Sequence, residues 1–192
     1  ERQTLHTLLG QLRRTMPPNK ILTGNGQNHW YQLNGAMIET FPFGNNPDPG
    51  SPAAYSWNYT MFQDYGYFPN EDHYNPVPQR MNFLNAKWGA GSRYTSNQSP
   101  EYQRHKRFCL ASCMLRDGYF SLDWSSNGVA HNSLWWEPEY EKPIGTPLGG
   151  PYQVTYSGMT LWRRDFSNGS VVLNPNYISF TGAPQDSLPP IN

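Results

Sequence analysis

The sequence predicts an α/β fold built on a parallel sheet and followed by a small antiparallel β tail. As far as residue 123, segments with helical spacing of apolar residues alternate with short apolar runs that end in turn residues. Alternation of this kind is typical of a parallel sheet with crossover helices. After residue 150 the pattern changes to short strand-like segments, and a turn at Asn168-Gly169 before Val171-Val172-Leu173 is a hairpin signal.

Four short apolar runs are the predicted strands of the parallel sheet. They lie near residues 20–23, 35–39, 81–86 and 119–123. Apolar runs of this length, bounded by turn residues, are typical of buried strands.

Three helices are predicted, one before the first strand and one before each of the last two strands. The first carries leucines at helical spacing and ends before Pro17. These leucines are Leu5, Leu8, Leu9 and Leu12. The second helix is predicted over residues 53–66. The third begins at Ser99, a capping residue that precedes Pro100 at the first helical position, and runs to about Arg116.

The composition argues against some partners and favours others. Lys+Arg and Asp+Glu balance at 14 each, so we expect no nucleic-acid partner. The chain has no run of about 18 apolar residues, so no membrane span is expected. Charged residues make up only 15%, against about 25% on average, whereas aromatic residues reach 15%, with 7 Trp and 13 Tyr. Aromatic rings can stack on the C–H faces of sugars, although each single ring is also a candidate for core packing.

The beginning of the chain and its cysteines bear on where the protein acts. The first residues continue into a helical pattern and do not resemble a signal peptide. A mature secreted protein would begin this way, and so would a piece of a longer chain, and we expect an extracellular, cell-surface or periplasmic location. Cys109 and Cys113, four residues apart on the third helix, are better explained as buried thiols than as a disulfide or metal pair.

Each predicted strand ends in polar or aromatic residues. These are Asn25, Glu39, Asn85 with Lys87, and Asp123 with Trp124. The carboxyl ends of parallel barrel strands meet at one rim, where barrel enzymes place catalytic groups. We therefore expect a carbohydrate or polyol site at this rim. Glu39 is the most informative residue, because an ionised carboxylate is rarely placed at the end of a buried strand without a role. The structural alternative is that Glu39 caps a neighbouring helix or pairs with an arginine.

Five segments of the chain carry a family resemblance. They are ILTGNG at 21–26, NGAMIE at 34–39, DGYFSLD at 117–123, Trp136-x-x-Glu139-Tyr140, and LWRRDFSNG at 161–169 with the VVLNP that closes the tail. This set resembles predicted glycoside hydrolases of the TIM-barrel superfamily, in which a barrel is followed by a small β region.

The resemblance implies the C-terminal half of a (β/α)8 barrel. Residues 1–150 would form the half barrel, with Glu39 on its sixth strand, and residues 151–192 would form a β-hairpin tail. A complete barrel needs eight strands and about 250 residues. The resemblance therefore implies that an N-terminal half or another chain completes the barrel.

The same resemblance implies glycoside hydrolysis by paired carboxylates acting on an oligo- or polysaccharide. Glu39 would be the acid/base. Asp123 would be the second carboxylate, or a ligand of a substrate hydroxyl if the nucleophile lies upstream. The predicted substrate contacts are Asn25, Trp30, Asn85, Lys87, Trp88, Trp124, Trp135 and Trp136. No cofactor is expected.

Two further classes of function remain open from the sequence. One is a carbohydrate-binding or structural subunit that keeps the barrel rim without its chemistry. The other is a metal enzyme using the histidines and acids, which is less favoured because no His-x-x-x-His or comparable ligand spacing occurs.

Overall fold

The computed structural model describes residues 2–25, 32–39, 41–42, 53–62, 68, 79–87, 100–123 and 136–175. The elements, in chain order, are α1 (Arg2–Thr15), β1 (Thr23–Asn25), β2 (Gly35–Glu39), α2 (Ala53–Met61), β3 (Phe83–Lys87), α3 (Pro100–Leu115), β4 (Tyr119–Asp123), a short 3-10 helix (Pro138–Glu141), β5 (Tyr152–Tyr156), β6 (Met159–Phe166) and β7 (Gly169–Leu173). The predicted end of the second helix, residues 63–66, lies outside the described residues.

The strands form two separate sheets. β1 to β4 follow one another in the order β1-β2-β3-β4, and every neighbouring pair is parallel. β5, β6 and β7 form an antiparallel meander. The predicted α/β fold with a β tail is confirmed, and four parallel strands with helices are consistent with half of a (β/α)8 barrel. Within the described part of the chain, no helix is long and apolar enough to cross a membrane.

One face of the parallel sheet packs against the helices. Its buried residues are Ala36, Ile38, Leu84, Ala86 and Leu122. Trp57 of α2 and Leu115 of α3 are fully buried and belong to the same hydrophobic cluster as Ile38. The Trp57 indole N–H donates to Ser112 Oγ at 2.8 Å, so the two helices are also fixed to each other.

The opposite face of the sheet is exposed only in part, since Asn85 on this face is 8% exposed. Side chains alternate along a strand, so Met37, Phe83 and Tyr119 lie on this face. They form one register row, and the ring centroids of Phe83 and Tyr119 are 6.0 Å apart. Tyr119 is 57% exposed and Phe83 37% exposed. We call this surface the open face.

A buried asparagine precedes each of the two central strands. Asn34 Oδ1 accepts hydrogen bonds from the Leu22 N–H at 2.8 Å and from Arg13 Nη2 at 2.7 Å. Asn82 Oδ1 accepts from the Ala36 N–H at 3.1 Å. Each asparagine therefore links its own strand to the preceding strand and fixes the register between them. This register determines which residues lie side by side at the carboxyl ends of the strands.

The β tail packs against α3. Three tail residues share the hydrophobic cluster of the parallel sheet: Phe166, Val171 and Leu173. Arg164 is 7% exposed and donates to the carbonyl oxygens of Met114 at 3.1 Å and Arg116 at 3.2 Å. A cation at the C-terminal end of a helix is favourable for the helix dipole. The division into domains at residue 150 stays a prediction.

The predicted first helix is confirmed as α1, yet its leucines are largely exposed. Leu8 is 58% exposed, and Leu5 and Leu12 exceed 40%. α1 is held near its end by Arg13, whose Nε donates to the Gln32 carbonyl oxygen at 2.8 Å. An apolar helix face is normally buried, and the described residues leave this one uncovered.

Candidate functional site

Three polar residues share one register row near the carboxyl ends of β2, β3 and β4. Glu39 is the Cα partner of Asn85, and Asn85 is the partner of Ser121. Neighbouring strands lie about 4.8 Å apart, and paired residues of parallel strands project to the same face. Glu39 therefore lies beside Asn85 on the open face, opposite the buried Ile38.

Three other predicted site residues lie on the same face as this row. Asn25 pairs with Met37, two residues before Glu39. Lys87 pairs with Asp123, two residues beyond Asn85. Because residues two apart on a strand share a face, the strand positions place all these polar residues along one rim.

The strand geometry sets the separation of the two predicted carboxylates. Asp123 lies two strands away from Glu39 across the sheet and two residues further along it. This places their Cα atoms about 12 Å apart. Carboxyl groups that act together on a glycosidic bond are about 5–9.5 Å apart.

The backbone around Glu39 is fixed on both sides. β2 is a central strand, paired with β1 and β3. Beyond Glu39, the Phe41 N–H donates to the Asn85 carbonyl oxygen at 3.0 Å, and Phe41 is fully buried. Glu39 itself is partly buried. The strand pairing and this hydrogen bond fix the backbone position of Glu39.

Four predicted substrate contacts lie outside the described residues. They are Trp30, Trp88, Trp124 and Trp135. Their role stays a prediction.

Trp136 lies on the helix side of the sheet, away from the row of Glu39. Its ring packs edge-on against Tyr140, with centroids 5.5 Å apart, and Tyr140 packs against Phe120 at 6.0 Å. Phe120 alternates with Tyr119 along β4 and packs into the core under α3. The described contacts of Trp136 therefore do not bring it to the open face.

The structure also contains a buried ionic cluster that the sequence reasoning missed. Lys106 Nζ donates to Glu137 Oε2 at 2.6 Å and to Glu139 Oε2 at 2.8 Å. The Tyr102 hydroxyl donates to Glu137 Oε1 at 2.8 Å. Lys106 is 1% exposed and Glu137 4%. The cluster fixes the chain beyond β4 to the first turns of α3.

A signal for this cluster was present in the sequence. Tyr102, Lys106, Cys109 and Cys113 lie on one helical stripe of α3. A lysine between apolar positions on such a stripe indicates a buried cation, which needs a carboxylate partner. The sequence could not say which of the many acids that partner is, because Glu137 is 31 residues away.

The electrostatics of the cluster favour a charged Glu139 and neutral phenols at Tyr102 and Tyr140. Burial opposes ionisation of Glu139, but the hydrogen bond and charge of Lys106, with Arg107, outweigh it and hold the pKa of Glu139 below its ordinary value. Burial and the neighbouring Glu137 carboxylate raise the pKa of both Tyr102 and Tyr140. The Tyr102 hydroxyl therefore stays protonated and acts as a hydrogen-bond donor, whereas Tyr140 packs against the rings of Phe120 and Trp136.

The two cysteines are buried free thiols, as predicted. Burial raises the pKa of Cys109 and raises that of Cys113 to about 12, with the Asp117 charge adding to the shift of Cys113. His105 Nε2 lies 3.5 Å from Cys109 Sγ, and burial lowers the pKa of His105 to about 4. Protonated thiols are poor nucleophiles. In the described ranges, no three or more His, Cys, Asp or Glu residues are grouped as a metal site.

Comparison with known proteins gives one family match. The family model described as hypothetical glycosyl hydrolase family 15 matches residues 2–170. The match spans the whole parallel sheet and reaches into β7 of the tail. No curated protein matches the chain.

Proposed function

This chain belongs to hypothetical glycosyl hydrolase family 15, and from that premise we propose that it forms one half of a barrel-type active site that hydrolyses an oligo- or polysaccharide. The observation that supports the proposal most directly is the register row at the strand ends. Glu39 lies beside Asn85 on the open face, at the carboxyl edge where parallel barrels carry their catalytic groups.

In this proposal Glu39 is the acid/base. It donates a proton to the leaving glycosidic oxygen while a second carboxylate attacks the anomeric carbon or activates water. Asp123 is that second carboxylate if the site is self-contained. If the nucleophile belongs to the other half of the barrel, Asp123 accepts a hydrogen bond from a substrate hydroxyl. Asn25, Asn85 and Lys87 bind hydroxyl groups along the same rim.

We also propose that four more strands cover the open face. The exposed rings of Phe83 and Tyr119 and the exposed leucines of α1 are surfaces that a closed barrel would bury. A neighbouring part of the same protein or another chain would supply these strands. A substrate of this class fits action outside the cytoplasm, at the cell surface or in the periplasm.

The test compares the turnover of oligosaccharides by the Glu39→Gln variant and by the parent protein. Each is assayed together with the protein part that completes the barrel. The amide keeps the size of the side chain but has no acidic proton to transfer, so we expect turnover of oligosaccharides to fall at least ~100-fold. Sugar binding should be retained. Asp165→Asn is the matched control, since Asp165 lies on the tail in contact with Tyr152 and Arg163. Equal turnover by Glu39→Gln and the parent would contradict the proposal.

A second candidate function is a sugar-binding or structural subunit without chemistry. The observation in its favour is that the described residues form only four strands of a barrel-like sheet. If this second function is correct, the parent protein binds saccharides but hydrolyses none of them, even when the other half of the barrel is present in the assay.

A further inference from the structure

The Trp136 side chain is unusually exposed for a tryptophan, yet contacts with neighbouring side chains fix the orientation of its ring. Its exposed fraction is 73%. The ring packs edge-on against Tyr140, with an interplanar angle of 88°. The indole N–H donates to Glu141 Oε1 at 2.9 Å. These contacts orient the ring and leave most of its surface open to solvent.

The chain that carries Trp136 is fixed by the buried cluster. Glu137, the next residue, accepts hydrogen bonds from Lys106 and Tyr102, and Glu139 accepts a second hydrogen bond from Lys106. A short 3-10 helix, Pro138–Glu141, follows Glu137 directly and contains Glu139. A ring on such a support loses little freedom when a ligand binds, and preorganisation of this kind favours affinity.

Among residues 137–143, which follow Trp136 along the chain, the exposed ones are charged residues or prolines, unlike the apolar centre of a protein interface. The exposed neighbours along the chain are Pro138, Glu141, Lys142 and Pro143. A stable interface buries about 800 Å² on each partner around an apolar centre. A single flat ring with a carboxylate at its edge instead suits one pyranose unit: the C–H face stacks on the indole, and a hydroxyl donates to the carboxylate.

We propose that Trp136 and Glu141 form a second carbohydrate-binding site on the helix side of the sheet, separate from the rim of Glu39. The proposal takes its ligand class from the proposed function and does not depend on Glu39. The ligand is a sugar unit of a poly- or oligosaccharide chain. Because Phe120, Tyr140 and Trp136 stack outward from the helix-side face of β4, the sheet lies between this site and the rim.

The experiment compares the binding of variants to insoluble and soluble polysaccharides, by retention and by titration of tryptophan fluorescence. In Trp136→Ala, we expect affinity to fall at least ~10-fold because the stacking surface is lost. Trp136→Phe should recover part of the affinity. Tyr59→Ala, which removes an aromatic residue of α2 that is 43% exposed, is the matched control and should bind like the parent. Thermal melting of each variant checks that the fold is intact.

The outcomes separate this inference from the proposed function. Glu39→Gln should keep its retention on polysaccharide, and its turnover tests the proposed function alone. The second site is overturned if Trp136→Ala binds as tightly as the parent, or if the parent binds no polysaccharide. It is also overturned if Trp136→Ala changes the native mass of the protein instead of its retention, because the ring then belongs to a protein interface.

Discussion

At the scale of single residues, Lys106 is the buried cation that joins α3 to the segment beyond β4. It is almost fully buried and holds two carboxylates from a segment 31 to 33 residues away. A buried ion pair is weak evidence for stability in itself, because desolvation offsets the attraction. Removal of one partner is different, since it leaves an uncompensated charge in the interior.

The Lys106→Met variant tests this asymmetry. We expect its free energy of unfolding to fall by about 3–5 kcal/mol, because Glu137 would remain buried without its cation. Denaturant unfolding measures the change. Lys142→Met, at an exposed position after the 3-10 helix, should stay within about 0.5 kcal/mol of the parent. A loss of less than about 1 kcal/mol for Lys106→Met would mean that the cluster is not energetically important.

His105 gives the protein a predictable sensitivity to acid. Burial lowers its pKa from 6.5 to about 4 in the folded state, so the unfolded chain binds a proton first as the pH falls. Stability should therefore be fully present above pH 6.5 and decline between pH 6.5 and 4, by up to about 1.4 kcal/mol per pH unit. The depressed pKa of Glu139 adds a loss at lower pH, where that carboxylate is protonated.

The His105→Gln variant isolates the histidine from the other titrating groups. The slope of stability against pH between 6.5 and 4 should be smaller in this variant than in the parent. Denaturant unfolding at pH 7, 6, 5 and 4.5 measures both slopes. Identical slopes would show that His105 titrates alike in the folded and unfolded states.

At the scale of elements, the strands depend on polar contacts at their beginnings. Asn82 Oδ1 accepts the Ala36 N–H in the interior, where water cannot replace it. Asn82→Ala should lower the free energy of unfolding by about 1–3 kcal/mol, the usual effect of an unsatisfied buried donor. Asn19→Ala, in an exposed turn, is the control and should lie within about 0.5 kcal/mol of the parent. Equal stability of all three proteins would contradict the role given to Asn82.

The elements themselves were largely predictable from the sequence, because their signals are local. The β2 run around Ile38 is apolar and bounded by turn residues, and the sequence Ser99-Pro100 is a helix-start signal at the beginning of the α3 segment. The rim was predictable in outline, since parallel strands end on one edge. Local sequence patterns could not show which residues, far apart in the chain, contact each other. The Lys106–Glu137 pair and the outward position of Trp136 depend on how the chain beyond β4 returns to α3.

At the scale of the whole molecule, the two faces of the parallel sheet differ in how far their described residues are exposed. Trp57 and Leu115 bury the helix side, whereas Tyr119 on the open face is 57% exposed. The leucines of α1 are exposed as well. These features agree with half of a barrel whose rim carries Glu39, and the proposed chemistry requires the other half to close around the substrate.

The most direct test of that chemistry is the dependence of the Glu39→Gln variant on the leaving group. kcat/KM is measured for the parent and the variant on two aryl glycosides, one with a poor leaving group and one with a good leaving group such as dinitrophenolate. A general acid matters only where the departing oxygen needs a proton. We predict a loss of at least ~100-fold on the poor leaving group and a much smaller loss on the good one. Equal losses on both, or no loss on either, would contradict the assignment of Glu39 as the acid.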